Sequence, residues 1–185
     1  MPYLVRDMTE QNLKNAFSGE SQAHMRYIIF SDVAEKSGFK NTARLFRAIS
    51  YAERVHSTNH YNNLAHLNGG YVTVGMAGFG PGDTSKNLGI AIEGEMFEIN
   101  EMYPVYLETA RFQGEAAAAK SFEWAYEAEK IHAKLFKKAK EAVDRGSDVQ
   151  LKTIQICEVC GYTVEGDAPD KCPICKAKKD KFKAF

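Results

Sequence analysis

Apolar positions recur every three or four residues through four long stretches, 9–37, 41–67, 85–112 and 115–146, and that period predicts four helices. Helix-ending glycines follow them at Gly38, in Asn68-Gly69-Gly70, and at Gly114 and Gly146. Short turns join the first helix to the second and the third to the fourth, so each pair reads as an antiparallel hairpin. Between the pairs, residues 70–83 are rich in glycine and carry Pro81, which predicts a loop or extended crossover. Two hairpins joined by one long crossover make the ferritin-like arrangement. From residue 149 the helical period is lost. Thr153-Ile154-Gln155-Ile156 predicts a short strand, and the rest reads as turns. The expected fold is mainly α: a four-helix bundle over residues 1–146 and a small β/turn domain over 147–185.

The helical stripes contain residues that do not belong in an ordinary core. Glu20 is preceded by Ala16 and Phe17 and followed by Ala23, Tyr27 and Phe30, all at helical spacing. Glu53 lies among Ile49, Ala52 and His56. A carboxylate on such a stripe needs a metal or a hydrogen-bonded partner. The pattern is also duplicated. Gly19-Glu20 is followed, 33 residues after Glu20, by Ala52-Glu53-Arg54-Val55-His56. Gly94-Glu95 is followed, 34 residues after Glu95, by Ala128-Glu129-Lys130-Ile131-His132. Each Glu-x-x-His presents a carboxylate and an imidazole on one helix face. Two such helices, with one glutamate from each of two others, form the ligand set of a carboxylate-bridged di-iron bundle. The bland alternative is a buried network of structural carboxylates.

Glu98 breaks the duplication, since Ala23 holds the equivalent place. Three residues after Glu95, it should face the same site. Five carboxylates leave a formal charge of −1 against two ferrous ions and +1 against two ferric ions. Glu98 is therefore expected to bind more firmly in the oxidised state. Tyr27 and Tyr103, seven and eight residues after Glu20 and Glu95, could donate hydrogen bonds to ligating carboxylates or simply pack. His24 and His60 are weaker ligand candidates without counterparts in the second copy, and His66 reads as a surface or capping residue. Trp124, Met96 and Met102 read as packing. Gly78-Phe79-Gly80-Pro81-Gly82 lacks the lysine and hydroxyl residue of a phosphate loop.

Only four cysteines are present, as Cys157-Glu158-Val159-Cys160 and Cys172-Pro173-Ile174-Cys175. Two such knuckles predict a tetrahedral tetrathiolate site for zinc or a single iron. Disulfides compete, but Met1-Pro2-Tyr3-Leu4-Val5-Arg6-Asp7 does not read as a secretory signal. With 24 basic and 24 acidic side chains, the charge balance gives no case for nucleic acid. No apolar run is long enough to span a bilayer. A soluble protein of the cytoplasm is expected.

With both signals in hand, the chain resembles a rubrerythrin from end to end. The resemblance rests on Gly19-Glu20-Ser21, the two Glu-x-x-His segments, Gly94-Glu95-Met96-Phe97-Glu98, Glu101-Met102-Tyr103-Pro104, and the paired knuckles with Gly161-Tyr162. It implies a non-sulfur di-iron centre that reduces hydrogen peroxide to water with electrons from a rubredoxin-type iron. Glu20, Glu53, His56, Glu95, Glu98, Glu129 and His132 would then be the di-iron ligands and the catalytic set. Cys157, Cys160, Cys172 and Cys175 would hold the mononuclear iron. The family also implies iron moving between His56 and Glu98 with redox state. No nucleotide-binding motif is visible, so an external protein such as a rubredoxin or its reductase would supply electrons.

A bundle centre lies about 20 Å from either bundle end. A tail tethered at the end is therefore not expected to approach its own centre closely, and a head-to-tail homodimer is predicted, as the resemblance also suggests. The runner-up function is a ferritin-like ferroxidase or iron-handling protein. A third is a zinc-ribbon interaction module on a structural bundle.

Overall fold

The computed structural model describes residues 5–80 and 82–185; residues 1–4, which open the N-terminal segment considered above, and Pro81 of the crossover lie outside them. Four helical rods carry the fold. They are α1 (Asp7–Lys36), α2 (Lys40–Asn62), a composite rod of α3 (Thr84–Phe97) and α4 (Tyr103–Gln113), and α5 (Ala116–Asp144). The four expected helices are therefore present, with two differences. The second ends at Asn62, and residues 63–66 form turns. The third is interrupted by a π-turn, Glu98–Met102.

Each rod buries one stripe. On α1 it comprises Leu13, Ala16, Glu20, Ala23, Tyr27, Phe30 and Ala34, a run with the period of a helix. Two apolar clusters result. One is built around Tyr27, Phe30, Phe46 and Phe136, the other around Leu13, Leu64, Tyr103, Leu107 and Phe122. Between them lies a buried polar layer that contains Glu20, Glu53, Glu95 and Glu129.

Neither α1 nor α2 has a side-chain cap of its own at its start. Both are capped from across the fold. Gln113 accepts from the Thr9 amide (2.9 Å) and hydroxyl (2.6 Å), and Glu115 accepts from the Arg6 amide (3.0 Å). Asp148, just beyond α5, accepts from the Asn41 amide (2.6 Å) and from the Thr42 amide and hydroxyl (3.0 and 2.8 Å). These contacts satisfy helix-start donors that would otherwise lack partners.

Asp148 also turns the chain back. The tail sheet has strands β1 (Ile154–Cys157), β2 (Thr163–Glu165) and β3 (Phe182–Ala184), antiparallel in the order β2-β1-β3. Arg44 of α2 holds this segment through the carbonyls of Leu151 (2.9 Å), Lys152 and Phe185 (3.0 Å each). Ile154 and Ile156 are fully buried and belong to the larger bundle core. Each contributes about 1.5–3 kcal/mol of burial. The small sheet therefore borrows its apolar core from the bundle.

Asp148→Ala is expected to destabilise the start of α2 by about 1–2 kcal/mol. Hydrogen exchange should speed up at the Asn41 and Thr42 amides while the middle of α5 keeps its protection. Unchanged exchange at those two amides would refute the cap.

Candidate metal centres

Glu20, Glu53, Glu95 and Glu129 meet at the bundle centre with exposures of 0–1%, and His56 and His132 are equally buried. Two sets of ligand atoms lie within 4.8 Å of one another among the described residues. One is Glu20, Glu53, His56 and Glu129; the other is Glu53, Glu95, Glu129 and His132. Glu53 and Glu129 belong to both. Two adjacent sites that share two carboxylates are the geometry of a bridged dinuclear centre.

The chemistry of the donors fits metal ions. Glu20 Oε2 and Glu95 Oε2 are buried without a hydrogen-bond partner, as are Glu53 Oε1 and Glu129 Oε1. The last two also lie near the imidazoles, Glu53 Oε1 at 3.3 Å from His132 Nδ1 and Glu129 Oε1 at 2.8 Å from His56 Nδ1. Buried oxygens are costly to leave in that condition. Burial and the neighbouring carboxylates push the carboxyls of Glu20 and Glu95 well above the ordinary range. At Glu129 burial acts the same way, but His56 and His132 outweigh it and hold the carboxyl low. Burial would lower His56, yet Glu129 and Glu53 raise it to about 10. Protons and cations thus compete for one negative pocket.

Hydrogen bonds orient the donors, and the duplication shows in them. Tyr27 on α1 donates to Glu95 Oε1 (2.7 Å), and Tyr103 on α4 donates to Glu20 Oε1. Each copy's tyrosine steadies the other copy's glutamate. The tyrosines sit seven and eight residues after their own glutamates, and the wider π-turn between Glu95 and Tyr103 absorbs the extra residue. His60, a weak ligand candidate from the sequence, is not a donor to the cluster. Its Nε2 lies 3.0 Å from the Tyr103 hydroxyl and its Nδ1 lies 2.8 Å from Ser121 Oγ, so it steadies Tyr103. Burial and nearby His56 lower His60 to about 3, which keeps it neutral. His24 bonds Ser50, away from the centre, and His66 pairs with Glu10 at 3.0 Å. Glu98 is buried beside the cluster but belongs to neither set of four.

The four cysteines form the second centre. Cys157 and Cys175 sulfurs lie 3.6 Å apart, and those of Cys160 and Cys172 lie 3.5 Å apart. A disulfide would need about 2.05 Å. A tetrahedron with 2.3 Å metal–sulfur bonds has edges of about 3.8 Å. All four thiols are free, and a hydrogen bond from Cys160 lowers Cys157 to about 5. The two knuckles turn alike, with Gly161 N bonded to Cys157 O (2.9 Å) and Lys176 N to Cys172 O (3.0 Å). Both following residues adopt positive φ, 80° at Gly161 and 66° at Lys176. Lysine suffices at the second knuckle. At the first, a β-carbon would fall 2.1 Å from His56 Nε2.

That contact corrects the distance argument drawn from helix length. The tail folds back along α2 and α5 and reaches its own bundle centre. Thr163 Oγ1 donates to Gly161 O (3.1 Å) and lies 2.8 Å from His132 Nε2. With that proton on Gly161, His132 donates to Thr163 from Nε2, and its Nδ1 lies 2.6 Å from Glu129 Oε2, a contact that a proton or a metal ion must bridge. Asn59 Nδ2 bonds Val159 O (2.9 Å), and Tyr51 bonds Glu158 (2.7 Å). No local signal in the sequence marks Thr163, Gly161 or Asn59 as neighbours of the centre.

Tyr103→Phe should leave Glu20 Oε1 unpaired and weaken metal binding at the bundle centre by about 10–100-fold. Competition with a chelator measures this, with iron at the cysteines unchanged. Equal affinity in the variant would show that the hydroxyl does not orient Glu20.

A family model described as Rubrerythrin matches residues 11–140, and one described as Rubrerythrin, rubredoxin-like domain, matches residues 155–183. Rubrerythrin-2 of Clostridium acetobutylicum is 48% identical over 178 residues, covering 96% of this chain and 97% of that protein. Nigerythrin of Nitratidesulfovibrio vulgaris is 34% identical over 177 residues, covering 96% and 86%. A solved structure of nigerythrin in its fully reduced, all-ferrous state superposes with a TM-score of 0.83 at 33% identity, covering 100% of this chain and 89% of that one. The bacterioferritin of Mycobacterium tuberculosis, at 19% identity and a TM-score of 0.67, shares the bundle fold. With both sets of donor atoms assembled as described, the chain belongs to the rubrerythrin family, with its carboxylate–histidine di-iron site and its rubredoxin-like four-cysteine iron site.

Proposed function

We propose that this protein reduces hydrogen peroxide to water at the bundle centre, with electrons passed in through the four-cysteine site. The observation that carries this reading is the contact of the first knuckle with both imidazoles, Gly161 against His56 and Thr163 against His132. A ferroxidase or iron-handling protein would have no use for that contact, nor would a zinc-ribbon module. The work divides between residues 1–146 and 147–185. Glu20, Glu53, His56, Glu95, Glu129 and His132 would hold the dinuclear metal, with Glu98 joining as positive charge grows. Cys157, Cys160, Cys172 and Cys175 would hold the single iron.

Cleaving the O–O bond to give two waters takes two electrons and two protons, and two ferrous ions bound together supply both electrons at one place. The chain's own residues prepare the rest. Glu53 and Glu129, common to both ligand sets, keep the two sites adjacent. Tyr27, Tyr103 and the Thr163–His132 bond fix the donors, and the apolar clusters on either side keep bulk water out. Cys157, Cys160 and Cys172 are buried, whereas Cys175 is partly exposed. Electrons would therefore enter from an external protein, such as a rubredoxin or its reductase, on the Cys175 side and leave by Cys160 and Gly161.

Free cysteines at the second centre suit a reducing compartment such as the cytoplasm. None of the helices, among the described residues, is long and apolar enough to cross a membrane. A head-to-tail homodimer is part of this proposal, and sedimentation of the holoprotein tests whether the chain is a dimer. Since the tail reaches its own centre, an active monomer would not break the relay.

The reduced protein should contain three irons per chain and consume stoichiometric peroxide anaerobically while the red thiolate–iron colour returns. Zinc at the cysteines, or a bundle centre oxidised by peroxide while the tail iron stays reduced, would overturn the relay. Gly161→Ala should slow the return of colour at unchanged iron content. The positive φ alone would cost about 1–2 kcal/mol, and the β-carbon must push the knuckle off His56. A return as fast as in the natural protein would show that the contact does not carry the electron.

A further inference from the structure

The two glycines that precede Glu20 and Glu95 have no role in the ligand geometry. Gly19 and Gly94 lie inside α1 and α3, where glycine is the poorest helix former after proline. Neither has a positive φ. Neither makes room for a packed neighbour, since a β-carbon at either would meet nothing within 4 Å. Both line a cavity of about 450 Å³ between α1 and α3. Glu98, buried beside the metal cluster, lines the same cavity.

Residues 74–78 of the crossover roof this cavity, and they are seated closely. A β-carbon at Gly75 would come within 2.6 Å of Gln22 Nε2 and 3.2 Å of the Gly19 amide nitrogen, and one at Gly78 within 2.5 Å of Ile90 Cγ2. The Val74 amide bonds Asn15 Oδ1 at 3.2 Å. The roof thus rests on α1 at one side and α3 at the other. In the cavity wall stands Arg26, whose Nε and Nη1 are buried without a hydrogen-bond partner. A guanidinium in that condition calls for an acceptor.

We infer that this roofed cavity is the passage by which a small neutral oxidant reaches the bundle centre, with Gly19 and Gly94 keeping it open and Arg26 binding the oxidant. The lining carries one cation, Arg26, and two carboxylates, Glu93 and Glu98, so an ion of either sign meets a like charge. A neutral molecule that both donates and accepts hydrogen bonds does not. Hydrogen peroxide can accept from the guanidinium and donate to a carboxylate. This inference rests on the peroxidase reading for the identity of the oxidant, but not for the existence of the passage.

The test uses reduced, fully iron-loaded protein in anaerobic stopped flow, with hydrogen peroxide and separately with nitric oxide, a neutral diatomic ligand. Gly94→Leu should lower the second-order rate constants for both by about tenfold or more, and Gly94→Ala by less. Arg26→Gln should slow the reaction with peroxide and spare nitric oxide, and Arg26→Lys should restore part of the loss. Crystals of zinc-loaded protein, which cannot turn over, should show peroxide against Arg26 after soaking. Unchanged rates for both molecules in Gly94→Leu would overturn the passage and leave the peroxidase reading intact. Should Gly94→Leu lose iron, Gly94→Ala and Arg26→Gln decide in its place by the same criteria. If the natural protein fails to react with peroxide, the peroxidase reading falls. The nitric oxide rates in the glycine variants then decide the passage alone.

Discussion

Four carboxylates buried within a few ångströms of one another are the constraint on which the rest of this fold depends. Glu20, Glu53, Glu95 and Glu129 carry a formal charge of −4 into the middle of a bundle whose two ends are packed with apolar side chains. No packing gain of a few kcal/mol offsets so much unpaired charge. Either protons or metal cations must be present, and the raised carboxyls of Glu20 and Glu95 show how strongly the pocket seeks them. Two divalent ions and two neutral imidazoles bring the formal charge to zero. Oxidation by one electron at each ion leaves an excess of +2, and Glu98 is the buried carboxylate in reach of that excess. On the proposed reading, the reduced pair would do without Glu98 and the oxidised pair would take it up.

The tail answers to the same centre. Its sheet is too small to fold on its own apolar area, and it takes its core from α2 through Ile154 and Ile156. Asp148 caps α2 with one side chain and Arg44 grips three tail carbonyls, so the return of the chain is fixed before the knuckles are reached. Once the sheet is docked, only a glycine fits where the first knuckle meets His56. On the proposed relay, that structural requirement at residue 161 would also be the electronic connection between the two centres.

Much of this was legible in the sequence because it was written in periodicity. A helical stripe shows Glu20 to be core-facing whatever the fold around it, and repetition at an offset of 75 shows that Glu95 has the same duty. The π-turn was not foreseen, because spacings of seven and eight residues both fall on one face of a regular helix. What was not legible is what one segment does to another. Asp148 capping α2, Thr163 holding the ring of His132 and the fold-back of the tail are contacts between residues 31 to 107 apart. Helix length alone suggested that the tail would stay at the bundle's end. It failed because it treated the linker as a tether, whereas Arg44 and Asp148 make it part of α2's surface.

The duplication also explains how one centre can serve two traffics. Each copy contributes one helix bearing Gly-Glu and one bearing Glu-x-x-His, so the two glycine helices, α1 and α3, and the two histidine helices, α2 and α5, present different sides of the same cluster. The tail rests on the histidine side, where Thr163 and Gly161 touch the imidazoles. The cavity opens on the glycine side, between α1 and α3. On the proposed reading, electrons would arrive on the histidine side and the oxidant on the glycine side, without competing for room. The two departures from symmetry fall where each is needed. Glu98 replaces Ala23 on the cavity side, where it would meet the positive charge that oxidation adds. The tail, present once, breaks the symmetry on the histidine side.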